Sequence, residues 1–171
     1  MEALEAILTR RSIRNYTAEK VSDQVVKELL EAAMSAPSAH NKQPWHFVVI
    51  DDGKIFDEIA KVHPWASMLE EASIAILVCG DLKVDNRLGF WVQDCAAATE
   101  NILLAAHAKG LGAVWVGIYP VEERSATVIR KMIGIPEHIV PLSLIPLGYP
   151  AEKKSRANRY NPAKVHRNKW Q

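Results

Sequence analysis

Apolar residues recur at helical spacing in some stretches of this chain and run together at strand length in others. Leu4, Ile7 and Leu8 form a short first stripe. Ser22 can cap a second helix whose apolar face is Val25, Val26, Leu29, Leu30 and Ala33. That helix should stop near Ser35, because Pro37 disfavours helix in the residue before it. Residues 45–50 (WHFVVI) read as a strand rich in branched and aromatic side chains, and residues 55–62 as a helix broken by His63-Pro64-Trp65. Residues 74–79 (IAILVC) are an unbroken apolar run, which predicts a strand buried on both faces. Residues 90–109 make the longest helical pattern, small and apolar nearly all round, closed by Gly110. Such a helix is buried centrally or in a subunit interface. Residues 113–119 (AVWVGIY) read as a third strand. Pro120 then opens a helix reaching about Met132. Residues 141–147 (PLSLIPL) are a fourth strand, whose internal proline predicts an edge or irregular position.

This order predicts an α+β fold with α/β-type layering, a central sheet of about four strands covered by helices. The 171 residues fit one domain, 1–171, with no repeat and no second domain. Apolar residues are 49% and charged residues 24% of the chain, ordinary for a globular protein. The net charge of +1 provides no global field for nucleic acid or membrane. No apolar run approaches the roughly 20 residues of a membrane helix, and the acid at position 2 argues against a secretory signal. Cys79 and Cys95 show no metal or redox spacing; two buried thiols in a reducing cytoplasm are the expectation. Charge is uneven, however. Residues 153–171 hold seven Lys or Arg and no acid, and are too polar to form a core.

A second basic feature lies at Arg10-Arg11-Ser12-Ile13-Arg14. Alternate residues of an extended segment point the same way, and the arginine fork matches phosphate oxygens. Arg10, Ser12 and Arg14 can therefore converge on one phosphate. Arg11 belongs to the same binding segment, but its side chain should turn away with Ile13. Residues 36–45 (APSAHNKQPW) form a polar turn whose Asn41 and Gln43 amides suit the edge of a heterocycle or a polyol. Gly117 sits inside a strand, where glycine weakens structure unless something approaches the backbone closely; a planar ligand is one candidate. His40 and His46 lack the companions of a metal site, and Ser12, Ser38 and Ser143 lack a hydrolase elbow. There is no Gly-rich phosphate loop.

Four segments in this order and spacing, RRSIRNYT, APSAHNKQPWHFVV, FWVQDCAAATENILLAAHAKGLGAVWVGIYP and PLGYPAEKK, resemble the FMN-dependent nitroreductase family over nearly the whole chain. The likeness is to its compact members. It implies a nitroreductase-like, mostly antiparallel sheet of four to five strands in an intertwined homodimer, with residues 153–171 an arm reaching the partner subunit. It implies tightly bound FMN and NAD(P)H as electron donor, reducing nitroaromatics, quinones or similar flat electrophiles by a ping-pong hydride transfer. By the resemblance, Arg10, Ser12 and Arg14 hold the phosphate and ribityl end. Lys154 and Arg156 complete the phosphate site, with Arg159 a rival. Pro37, Ser38 and Ala39 pack along the flavin from the other subunit. Asn41 and Gln43 come from the same turn, and Val116 and Gly117 pass under the ring. His63, Trp65, Arg87, Phe90 and Trp91 shape the substrate side. No catalytic side chain and no metal is implied.

Two other readings stay open at this point. Related flavin chemistry on the same scaffold covers reductive dehalogenation, enoyl reduction and flavin breakdown. A non-catalytic phosphate- or nucleic-acid-binding module would use both basic segments, although the small net charge and the lack of a stacking platform speak against it.

Overall fold

A computed structural model describes residues 1–84, 89–121 and 123–170. Among the described residues, five α-helices, α1 (Ala3–Thr9), α2 (Asp23–Met34), α3 (Gly53–Val62), α4 (Phe90–Ala108) and α5 (Glu123–Ile133), surround one sheet. Its strands are β1 (Trp45–Ile50), β2 (Ile74–Asp81), β3 (Gly112–Ala113), β4 (Val116–Gly117) and β5 (Ile139–Gly148). The order is β1-β2-β5-β3, with β4 also on β5, and every pairing is antiparallel. The α+β layering and the mostly antiparallel sheet expected from the sequence are both present.

Local chemistry sets the boundaries. Ser22 Oγ accepts the Val25 N–H at 3.4 Å and caps the start of α2, and Ser35 is its C-cap. Gly110, at φ +80°, closes α4 in the left-handed region. On β2, Ile74, Ile76 and Val78 pack with α2 and α4 on one side of the sheet. Ala75, Leu77 and Cys79 pack with Phe56, Ile59 and Ile129 on the other. Period-two alternation thus serves two cores, and both faces are buried. Cys79 and Cys95 are free and buried, and desolvation pushes both thiols up to about 12. No helix among the described residues is long and apolar enough to cross a membrane.

Three expectations are corrected. The strand expected over residues 113–119 is split into β3 and β4. Val114 N–H donates to the Pro146 carbonyl at 3.3 Å, but Pro146 has no N–H to return, so the ladder is interrupted there. The proline-containing strand is central, not an edge: β5 lies between β2 on one side and β3 and β4 on the other. Its second proline, Pro141, falls opposite Cys79, where the β2–β5 register shifts between Val78 and Cys79. Pro120, expected to open a helix, lies in the turn ahead of α5, which starts three residues later.

Candidate active site

The arginine segment is extended and runs beside β3. Ile13 N–H donates to the Ala113 carbonyl at 3.0 Å, and Ser12 bridges Ala113 in parallel register. Such close approach needs the missing side chain of Gly112, where a Cβ would sit 2.6 Å from Ile13 Cγ2. The buried Tyr16 hydroxyl donates to the Ile13 carbonyl at 2.7 Å, and desolvation raises its pKa well above the ordinary value.

Residues just after β5 tie down the same segment. Glu152 Oε1 accepts the backbone N–H of Arg14 at 2.7 Å and of Asn15 at 3.3 Å. Lys154 Nζ lies 3.1 Å from Glu152 Oε1 and donates to the Ser12 carbonyl at 2.9 Å. The Arg14 amide, with lesser help from Lys154, holds the Glu152 carboxyl below its ordinary 4.5. A depressed carboxyl pKa stabilises the fold above the ordinary, unfolded value, and that contribution disappears as pH falls through the folded value. Glu152→Gln should therefore lower Tm at pH 7 and lose less than the native chain on acidification to pH 4. Parallel Tm–pH curves for the two proteins would contradict this assignment.

Arg14 carries its side chain, exposed, to a cleft of about 520 Å³ lined also by Trp65, Met68, Trp115, Val116 and Gly117. Trp65 is 72% exposed and Trp115 37%, giving two indoles and a cation around a strand backbone. A Cβ at Gly117 would meet nothing nearer than Trp115 Nε1 at 3.9 Å, so the strand presents bare peptide there. A planar heterocycle bearing acceptor atoms fits this combination of flat peptide, indoles and guanidinium.

The other residues singled out from the sequence are distributed more widely. Arg10 does not line this cleft; its Nε lies 3.4 Å from Glu100 Oε1 on α4. Arg11 turns away as alternation predicts. It donates to the Ser155 carbonyl and lines a second cleft, about 350 Å³, with Ile13, His107, Lys153 and Lys154. Burial, then the charge of Arg10, lowers the pKa of His107. Arg156 is exposed on the tail.

The amide-rich turn stands at the first turns of α4 rather than in the wall of its own chain's cleft. Ala39 N–H donates to Asp94 Oδ1 at 3.0 Å, leaving Asp94 Oδ2 buried and unpartnered. Gln43 N–H donates to Ser38 Oγ at 3.0 Å, and Gln43 Nε2 to Asn41 Oδ1 at 2.9 Å. His40, Asn41 and Gln43 all have φ above +50°, strain of a kind that clusters at functional sites. Pro37 is exposed, and Ser38 and Ala39 are half-buried.

Among the residues expected on the substrate side, Trp65 lines the cleft and Phe90 is half-buried. His63 and Trp91 present no open surface. His63 is 1% exposed and turned inward to Gly117. Trp91 is buried against Gly80 and meets Tyr119 edge-to-face at 4.9 Å. Arg87 lies outside the described residues. The sequence reading missed Trp115 and Glu152. Trp115 was signalled by alternation with the inward Val114 and Val116; Glu152 carried no local signal.

The nitroreductase family model matches residues 7–75 and 58–149. A protein of Methanothermobacter thermautotrophicus, provisionally named NADH dehydrogenase/NAD(P)H nitroreductase, is 48% identical over 99% of this chain and 88% of its own length. A crystal structure from Parabacteroides distasonis under the same provisional name superposes with TM-score 0.94 at 42% identity, covering 98% of each chain. A provisionally named nitroreductase of Desulfovibrio desulfuricans, crystallised in complex with FMN, gives TM-score 0.88 at 34% identity, over 100% of this chain and 99% of that one. The chain belongs to the nitroreductase family.

Proposed function

We propose that this protein is an FMN-dependent oxidoreductase that takes electrons from NADH or NADPH and passes them to nitroaromatics, quinones or similar flat electrophiles. The observation that carries the reading is the cleft that sets the exposed Arg14 guanidinium against the bare Val116-Gly117 backbone between two indoles. FMN, when bound, supplies hydride acceptance and electron return at one exposed face, so that donor and acceptor alternate in ping-pong order.

The protein's own residues bind, orient and exclude water. Arg14 would pair with the electron-rich edge of the ring system, and Val116 and Gly117 would support its plane. Arg10, Ser12, Lys154 and Arg156 would hold the phosphate and ribityl end; Arg11 contributes backbone rather than a side-chain contact. Trp65 and Trp115 would shield the cleft from solvent. A second copy would bring Pro37, Ser38, Ala39, Asn41 and Gln43 to the far side of the cofactor.

The homodimer is supported by apolar surface that a single chain leaves open. Leu4, Ile7 and Leu8 on α1 are exposed, as are Tyr160 and Trp170 on the basic tail. Exposed apolar side chains gathered on one short helix, as on α1, suit an interface. The tail, residues 153–171, would serve as the arm that lies over the partner. The two free, buried thiols suit a cytoplasmic protein.

The test is anaerobic. Protein loaded with FMN should be yellow, bleach on addition of NADH or NADPH, and regain colour with members of a nitroaromatic and quinone panel. A colourless chain that takes up no FMN would overturn the proposal. Colour regained only with halogenated aromatics or activated alkenes would move the acceptor class and keep the cofactor.

A further inference from the structure

His63 is a buried polar group whose burial the proposed reaction does not explain, and it joins two walls of the cleft. Its Nε2 lies 2.9 Å from the Gly117 carbonyl oxygen, and its Nδ1 lies 3.3 Å from the backbone nitrogen of Trp65. A carbonyl only accepts, and a backbone N–H only donates. The two contacts together require a ring protonated on Nε2 and bare on Nδ1, hence neutral and fixed in one tautomer.

The register of β4 shows what this bond controls. Val114 and Ile118 donate to carbonyls of β5 at 3.3 and 3.0 Å. Gly117 is out of phase with them, opposite Ser143, so its N–H and carbonyl both turn to the edge away from β5. That edge borders the cleft, and His63 takes the carbonyl. The imidazole thereby holds the Gly117–Ile118 peptide by its carbonyl, and this peptide meets, at the Gly117 Cα, the one whose N–H faces the cleft. It also anchors the start of the Pro64-Trp65 wall, so floor and wall move as one body.

We propose that His63 is a positioning residue: as the neutral Nε2–H tautomer it locks Gly117 to Trp65 and aims the Gly117 N–H at the planar ligand in the cleft. The proposal rests on the FMN reading above. Without His63 the Gly117 carbonyl would lose its partner, and the glycine torsions, which no side chain restricts, could turn and take the Gly117 N–H out of line. Gln can place its side-chain amide where imidazole Nε2 stands and so keep the Gly117 bond. Phe fills the space and keeps no bond.

His63→Phe should therefore weaken FMN binding about tenfold, the consequence of losing one aimed hydrogen bond of roughly 1.4 kcal/mol. His63→Gln should recover most of the affinity. FMN affinity is read by quenching of flavin fluorescence, with Tm reported for each variant. If His63→Phe does not fold, the comparison of His63→Gln with the native chain and the native-state measurement still decide. That measurement is the imidazole ¹⁵N spectrum of the unloaded native protein at neutral pH, which should show His63 protonated on Nε2 alone. An Nδ1–H or doubly protonated ring overturns the proposal. So does equal FMN affinity of the native, Phe and Gln proteins, which leaves the FMN reading standing. A native protein that binds no FMN overturns both.

Discussion

Reversing the charge at Arg14, as Arg14→Glu, should weaken FMN binding about a hundredfold while the chain stays folded. The guanidinium is exposed at the mouth of a cleft whose other walls are indole, methionine and strand backbone. A charge-assisted hydrogen bond there contributes roughly 1.5–3 kcal/mol, and a carboxylate facing the electron-rich edge of an anionic cofactor adds repulsion. A total near 3 kcal/mol corresponds to about two powers of ten in affinity. Folding should tolerate the change, because Glu152 holds residue 14 by its backbone N–H. Arg14→Lys keeps the charge without the planar fork and should fall between the two. Fluorescence titration with FMN, with thermal melts of the same samples, measures both effects. Affinity within twofold of the native protein would remove Arg14 from the site. A large loss of Tm would show that the side chain serves the fold instead.

The elements of this fold were legible because their apolar spacing differs in kind. The unbroken apolar run at residues 74–79 became a strand with cores on both sides, and the Ser22 cap and the stop at Ser35 were local chemistry. Position in the sheet was not legible. A proline argues for an edge only where its missing N–H would have been used. Here Pro146 spends that loss at the break between β3 and β4, and Pro141 spends it at the register shift opposite Cys79. Both accommodations depend on other strands, which no local pattern reveals.

The site divides along the same line. Alternation within residues 10–14 correctly turned Arg11 from the cleft that Arg14 enters. The same alternation could not foresee that Glu100, ninety residues on, stands beside Arg10. The family resemblance alone sets His63 and Trp91 on the substrate side, with no local pattern to show their burial. Their burial is decided by Gly117 and Gly80, glycines on strands that the chain reaches by separate routes. Glu152 is the clearest case of a long-range assignment. An acid in a basic stretch looks unremarkable until the chain reverses and sets it on the amides of Arg14 and Asn15.

Gly112→Ala should destabilise the fold and weaken cofactor binding together, because one contact serves both. A Cβ at residue 112 would sit 2.6 Å from Ile13 Cγ2, 2.8 Å from Ile13 Cβ and 3.3 Å from Ile13 Cγ1. The first atom can move by a rotamer change, but Cβ is fixed to the backbone of the arginine segment. Relief therefore requires residues 12–14 to withdraw from β3, stretching the 3.0 Å bond from Ile13 N–H to the Ala113 carbonyl. Overpacking of this kind costs about 1–3 kcal/mol, and withdrawal carries Arg14 away from the cleft. Tm should fall by several degrees, and FMN affinity should fall about tenfold at temperatures where the variant is fully folded. Ile13→Ala in the same chain removes both γ carbons and leaves Cβ, so the pair should recover part of the stability and not all. Full recovery would mean that the side chain alone was obstructed and the segment never moved. Stability lost with affinity untouched would separate the β3 contact from the site, and would mean that Arg14 holds its place without the pairing of Ile13 to Ala113.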